Sequence, residues 1–302
     1  MDLREGRYYR DWGLDEEALE RLALFGDLLR GAQANVTGVC DPGDIERIHF
    51  LDSLSLLAVP EVRGARSIAD VGSGGGLPAV VLAVALPGVR VVAVESVGKK
   101  CAFIRSAAQR LGLTGLEVVC SRAEAFGRSE ARESFDVVVA RAVAPLPVLA
   151  ELAVPLVRVQ GVFIAMKGAI SDQERIPGLR ALAILGAEAP EAKRARSFPG
   201  AENRWLYVAR KSRATPLAYP RRPGIPAKRP LGGPGADAGT ESGAGTESGL
   251  GTASDADTES GLGTESGVGA GAGGPASDEA ERRAPGPGSG WGRREGRERG
   301  RS

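Results

Sequence analysis

The sequence predicts an α/β fold: a mostly parallel, twisted, Rossmann-like sheet with helices on both faces and a helical addition at the amino terminus. Three observations carry that expectation. Short, almost continuously apolar runs at 67–71, 89–95, 135–140 and 161–166 alternate with segments of helical periodicity, and strands read this way when helices cover both of their faces. A glycine-rich turn, Gly72-Ser73-Gly74-Gly75-Gly76, separates the first run from a helix. An acid, Glu95, ends the second run, about twenty residues beyond the turn, as in nucleotide-binding sheets.

The elements follow in order. Apolar residues Leu14, Ala18, Leu22, Phe25 and Leu29 fall on one helical face and predict a helix over 14–33. Asp41-Pro42 opens a second helix over 44–59, with Pro42 suited to a first helical position. Strand 67–71, helix 78–86, strand 89–95, helix 98–112, strand 116–120, a short helix 122–127, strand 135–140, helix 146–157 and strand 161–166 then alternate as a doubly wound sheet requires. A last helix over 171–185 leads to a closing pair of strands, the second at 205–210. The expected organisation is a helical region over 1–62 packed on a core at 63–211. A basic, proline-rich segment at 212–230 and a tail at 231–302 follow.

Composition sets limits on the chemistry. With 39 basic and 38 acidic side chains among 302 residues, net charge says nothing general about nucleic acid. Cys40, Cys101 and Cys120 show no CxxC spacing, which argues against a disulfide framework or a zinc site and fits the cytosol. His49 is the single histidine, so a multi-histidine metal centre or a Ser-His-Asp triad is hard to build. The polar start lacks the apolar stretch of a signal peptide or membrane span. Residues 193–229 hold eleven Lys or Arg against one acid, Glu202, among prolines; they are expected to form no compact element and to suit phosphates. Beyond 230, Thr-Glu-Ser-Gly recurs from Thr240, Thr246, Thr258 and Thr264 among small residues. Such a segment buries too little apolar surface to offset ordering entropy, so disorder is expected.

The site reading begins at the glycines. They let the backbone turn sharply and approach a ligand, and the helix after them is expected to offer free N–H groups to an anion. Glu95 is expected to accept from both ribose hydroxyls of an adenosine-like ligand, in the crevice at the carboxyl ends of the strands. Nicotinamide dehydrogenases, flavoproteins and S-adenosylmethionine (SAM) methyltransferases share this pattern. Asp70 stands where dehydrogenases keep the strand apolar, and no second half with a catalytic His, Tyr and Lys follows. His49, Asp52 and Ser53 share a helix turn, either as a site or as a hydrogen-bonded helix surface. Lys99, Lys100, Lys167 and Arg204 fall at loop or strand ends on the ligand side, where phosphate contact competes with plain surface solvation.

Seven motifs, in order, resemble one family. They are Asn35-Val36-Thr37, His49-Phe50-Leu51-Asp52-Ser53-Leu54, Asp70 to Pro78, Glu95-Ser96-Val97-Gly98-Lys99-Lys100, Ser121-Arg122-Ala123-Glu124, Ala140-Arg141-Ala142 and Met166-Lys167-Gly168. Together they resemble the RsmG (GidB) family, which methylates guanine N7 in 16S ribosomal RNA. The resemblance spans residues 14–210 and implies a class I SAM-dependent methyltransferase fold. It implies cofactor contacts at Gly72, Leu77, Ala123, Glu124 and Arg141, to which the glycine turn and the acid after the second strand add Gly74 and Glu95. It favours His49, Asp52 and Ser53 as support for the RNA or SAM pocket; His49 is expected toward RNA, together with Lys99, Lys100, Lys167 and Arg204 by their place on the ligand side. The alternatives are that Leu77 packs its helix, Glu124 caps its own short helix and Arg141 makes a structural ion pair.

The chemistry needs little of the protein. Guanine N7 has an exposed lone pair and no proton to lose, so in-line placement suffices and no catalytic base is expected. Cytosine C5 transfer would require a cysteine over the ring. Adenine N6 transfer usually shows Asn or Asp, Pro, Pro and an aromatic after the fourth strand, where this chain reads Arg141-Ala142-Val143-Ala144-Pro145. The expected partner is 16S rRNA or the small-subunit particle, in the cytoplasm, with no membrane and no metal. The competing classes are a small-molecule or protein methyltransferase on the same fold and a noncatalytic RNA-binding protein retaining the SAM pocket.

Overall fold

The computed structural model describes residues 3, 6–32, 36–39, 41–141, 144–195 and 201–233. Asn35, Cys40, Ala142, Val143 and the repeat tail from 234 onward, with the disorder expected there, lie outside the described residues.

Seven strands form one sheet: β1 (Ser67–Val71), β2 (Arg90–Glu95), β3 (Leu116–Cys120), β4 (Phe135–Arg141), β5 (Val157–Lys167), β6 (Glu191–Arg194) and β7 (Trp205–Arg210). Their order is β3-β2-β1-β4-β5-β7-β6. The first five run parallel, whereas β7 is antiparallel to both β5 and β6. The chain travels outward from β1 through β2 to β3, then returns to β4 on the other side of β1. That reversal opens a crevice at the carboxyl ends of β1 and β4, where ligands of such sheets bind.

Period-two alternation divides the strand side chains between two cores. Ile68, Val91, Ala93, Val137, Val139 and Ile164 face one side, and Ala69, Val71, Val92, Val94, Val138, Ala140, Phe163 and Ala165 the other. Because both sides are covered, the strands need apolar residues at nearly every position. On the first side lie α1 (Gly6–Trp12), α2 (Glu16–Arg30), α6 (Ala79–Ala85) and α7 (Gly98–Arg110). The second carries α8 (Ala123–Phe126), α9 (Leu146–Ala153) and α10 (Asp172–Leu185). The Asp15 carboxylate caps α2 by accepting from the Ala18 amide at 2.8 Å.

The helix expected over 44–59 is not continuous. It opens as α3 (Pro42–Asp44), widens into a π-helical segment (Ile45–Leu51), resumes as α4 (Asp52–Leu54), tightens to 3-10 over Ser55–Ala58 and is followed by α5 (Pro60–Arg63). The hydroxyls of Ser53 and Ser55 donate to the carbonyls of His49 and Asp52 at 2.6 and 2.5 Å, and such back-bonding bends helices. Phe50 meanwhile stacks on Phe25 with ring centroids 5.8 Å apart. His49, Asp52 and Ser53 are all buried, so this trio does not sit on an outer helix surface, and His49 and Asp52 border the crevice.

The basic segment after β7 also departs from expectation. Residues 212–233 fold back onto the core, with Thr215, Pro220, Pro226 and Leu231 buried and a short helix α11 (Ile225–Lys228). Its prolines set the turns, and core side chains satisfy the backbone groups that the prolines leave without a regular ladder.

Candidate functional site

At the crevice lies a cleft of about 670 Å³, lined by the ends of β1, β2 and β4, the loops after them and the loop after β3. Its size is in the range of small-molecule and cofactor pockets. The glycine turn forms its floor. Gly72, Gly74 and Gly76 have φ of 76°, 57° and 90°, the left-handed region that glycine enters without a Cβ penalty. The amides of Gly72 and Ser73 donate to the Val94 carbonyl at 2.9 and 3.2 Å, tying the turn to β2.

Asp70 organises the turn from beneath. Its Oδ2 accepts from the Ala79 amide at 3.1 Å, and its Oδ1 is buried without a partner. Burial pushes this carboxyl up to about 6, against the opposing pull of the Ser73 and Ala79 hydrogen bonds. The helix start expected to offer free N–H groups is therefore capped internally. Pro78 carries no N–H, Ala79 is held by Asp70, and Val80 donates to Gly76.

Glu95 is buried, and three backbone amides hold its carboxylate. Oε1 accepts from Ser96 and Val97 at 2.8 and 2.9 Å, and Oε2 accepts from Gly74 at 2.9 Å. A carboxylate offers about four acceptor positions, so one remains for a ligand. The Oε2 atom, with the Gly74 amide as its single partner, is the side of the carboxylate left to a ligand. Glu124 is likewise engaged: its Oε1 accepts from the Gly224 amide at 2.9 Å, a hundred residues away in the chain. It reaches across to the carboxy-terminal segment, away from its own helix.

On the opposite wall sits a group of charged and polar side chains. Arg141 donates to the Ile48 carbonyl at 3.2 Å and lies 3.7 Å from Asp52 Oδ2. Burial raises the Asp52 carboxyl, and Arg141 and Arg204 partly offset it. His49 Nε2 meets the Thr37 hydroxyl at 2.6 Å, whereas Nδ1 is buried with no partner. Burial, then the charge of Arg141, pulls this imidazole down to about 4, so it is neutral at physiological pH.

The fold thus brings Gly72, Gly74, Leu77, Glu95, Ala123, Glu124, Arg141, His49, Lys100 and Arg204 to one cleft. It leaves out two. Lys99 is exposed at the start of α7, outside the lining. Lys167 donates to the Ala144 carbonyl at 2.9 Å and pairs with Glu174 at 3.0 Å, so its charge ties β5 to α10. Sequence reasoning missed Gly224, Pro226 and Ala227, which also line the cleft. A signal existed one contact away: Glu151, fully buried in the otherwise apolar α9, needs a partner, and that partner is Arg221, ahead of these residues.

SAM has an aromatic base, a ribose, an amino-acid carboxylate and a sulfonium, and the lining suits each of the first three. Leu77, Ala123, Pro226 and Ala227 supply small apolar walls, Glu95 an acceptor, and Lys100 and Arg141 positive charge. Among the described residues no group of three His, Cys, Asp or Glu could hold a metal, and no helix is long and apolar enough to cross a membrane.

The family model described as rRNA small subunit methyltransferase G (GidB) matches residues 19–196. A protein called Ribosomal RNA small subunit methyltransferase G from Rubrobacter xylanophilus is 46% identical over 231 residues, 74% of this chain and 88% of that relative. Proteins of the same name from Desulfitobacterium hafniense and Deinococcus radiodurans are 40% and 42% identical, over 72% and 73% of this chain and 91% and 89% of their own lengths. With a model match over more than half of its residues and relatives aligned along nearly their whole lengths, this chain belongs to the rRNA small subunit methyltransferase G family.

Proposed function

We propose that this chain transfers the methyl group of SAM to N7 of a guanine in 16S ribosomal RNA, acting in the cytoplasm on the free RNA or the small-subunit particle. The observation that carries the reading is family membership over residues 19–196, and it is supported by the cleft lined by residues of five of the seven motifs. When bound, SAM supplies an electrophilic methyl on a sulfonium. The protein's part is placement. Glu95 accepts from the ribose, Leu77 and Ala123 flank the base, the glycine-turn N–H groups and Arg141 balance the amino-acid carboxylate, and Lys100 at the cleft edge is left for RNA phosphate.

No side chain needs to remove a proton, because N7 presents its lone pair directly to the methyl donor. Consistent with this, the histidine at the cleft is held neutral by burial and by Arg141. His49, Asp52 and Arg204 line the cleft beside Arg141 and are the polar groups available to an incoming base. Lys99 is placed for phosphate only by its exposure on α7. Such contacts position the RNA without reading its sequence. Guanine in an unpaired or looped segment presents the edges that such a site can hold.

The test is transfer of tritiated SAM to 16S RNA, naked or within small-subunit particles, followed by cleavage chemistry selective for N7-methylguanine. Label released at a single guanine is the expected result. Label on protein or small metabolites, or SAM binding with no transfer to either RNA form, overturns the assignment.

A further inference from the structure

We propose that the segment after β7 is part of the cofactor site: its Gly224–Ala227 turn walls the cleft beside Ala123 and Glu124, and Arg221 and Glu151 latch it there. The proposal rests on the reading that the Ala123 side of the cleft takes the adenosine half of SAM. It assigns cofactor contact to Pro226 and Ala227, and positioning to Arg221, Glu151 and Glu124.

The segment is fastened along its length by buried groups. Lys211 Nζ, almost fully buried, donates to Glu133 and to the carbonyls of Val154 and Val157 at 2.8, 2.9 and 2.7 Å. Glu133 also accepts from the Thr215 amide at 2.7 Å. The Arg132 guanidinium donates to the carbonyls of Tyr219 and Thr215 at 2.6 and 2.7 Å, and Arg128 to that of Pro220 at 2.6 Å. These bonds direct the chain toward the cleft. There, Glu151, at 0% exposure, accepts from the Arg221 amide and from its Nε, both at 2.8 Å, and from Nη2 at 2.5 Å. Arg221 Nη2 donates also to the Arg229 carbonyl at 2.7 Å, closing the loop between them. A buried carboxylate with a forked arginine is costly to separate, because either charge alone would be left uncompensated.

Between those two ends the chain turns at Gly224, φ 82°, and the Gly224 amide donates to Glu124. Glu124 therefore acts through the wall, and Pro226 and Ala227 fall against the cleft. None of the three positions that touch the cleft, Gly224, Pro226 and Ala227, carries a charged side chain, and such a surface suits an uncharged aromatic base. Residues 212–233 lie beyond the stretch matched by the family model, which ends at 196.

The experiment is calorimetric titration of SAM into the full-length chain and four variants, with thermal melts to confirm folding. Ala227→Trp puts an indole where the base would lie and should abolish or strongly weaken binding at unchanged Tm. Arg221→Ala, by reducing the docked fraction to about a tenth, should raise the apparent Kd about tenfold. Arg221→Lys should recover part of that loss, and the KM for SAM should rise while the KM for RNA holds. Leu217→Ala, 86% exposed on the same segment, should bind as wild type. Folded Ala227→Trp and Arg221→Ala proteins with wild-type affinity overturn the proposal. If wild-type chain itself fails to bind SAM, the cofactor reading falls, and the wall with it.

Discussion

Asp70 shows how much one side chain can decide. It sits in a strand whose neighbours are all apolar, and it has no exposure. Its job is to cap the turn's helix from within, a task the glycines cannot perform. Because burial raises its folded pKa from 3.8 to about 6, its contribution to stability is full below pH 3.8 and is lost as pH rises through about 6. Asp70→Asn keeps an acceptor for the Ala79 amide and cannot ionise. Its stability relative to wild type should therefore be more favourable at pH 7.5 than at pH 4.5 in urea melts, and an equal difference at the two values would refute the assignment. His49 has the opposite sign: its pKa falls from 6.5 to about 4, so its contribution is present above pH 6.5 and is lost as pH falls toward 4. Gly72, at φ 76°, tolerates no side chain without strain of about 1–2 kcal/mol, more for a β-branched residue. Gly72→Val should lose SAM binding in calorimetry while the fold persists.

Among the elements, the strands were legible and the helix of residues 42–58 was not. Continuous apolar runs admit one reading once helices alternate with them. Periodicity cannot show where a helix will widen or tighten, because the Ser53 and Ser55 bonds back to carbonyls and the stacking of Phe50 on Phe25 are settled by tertiary packing. At the opposite end of the sheet, Asp136 joins β4 to the start of β1. Its Oδ2 accepts from the amides of Arg66 and Ser67 at 2.8 and 3.0 Å, and Arg158 donates to its Oδ1 at 2.6 Å. Burial alone would raise this carboxyl, but those bonds outweigh it and hold the pKa low. Asp136→Ala should cost about 2–4 kcal/mol of stability. It lies outside the cleft lining, so SAM affinity at a temperature where the variant is folded should match wild type.

For the molecule as a whole, the described segment after β7 packs on the core as far as Gly232. Leu231 packs in the second core, and a Cβ on Gly232 would lie 2.4 Å from the Pro177 carbonyl oxygen. A chain ending at residue 236 should therefore transfer methyl groups at the wild-type rate, whereas one ending at 211 should lose SAM affinity; equal activity of the two would show the folded-back segment to be dispensable. The sequence by itself determined the doubly wound sheet, the glycine turn, the acid at the end of β2 and the family, because strand patterning and short motifs are local. Only the tertiary structure decided that Glu124 accepts from Gly224, that Lys167 pairs with Glu174 and that a basic, proline-rich stretch lines the cleft. Those outcomes depend on which buried charge finds which partner across tens of residues, and desolvation, which sets that choice, exists only once the chain has folded.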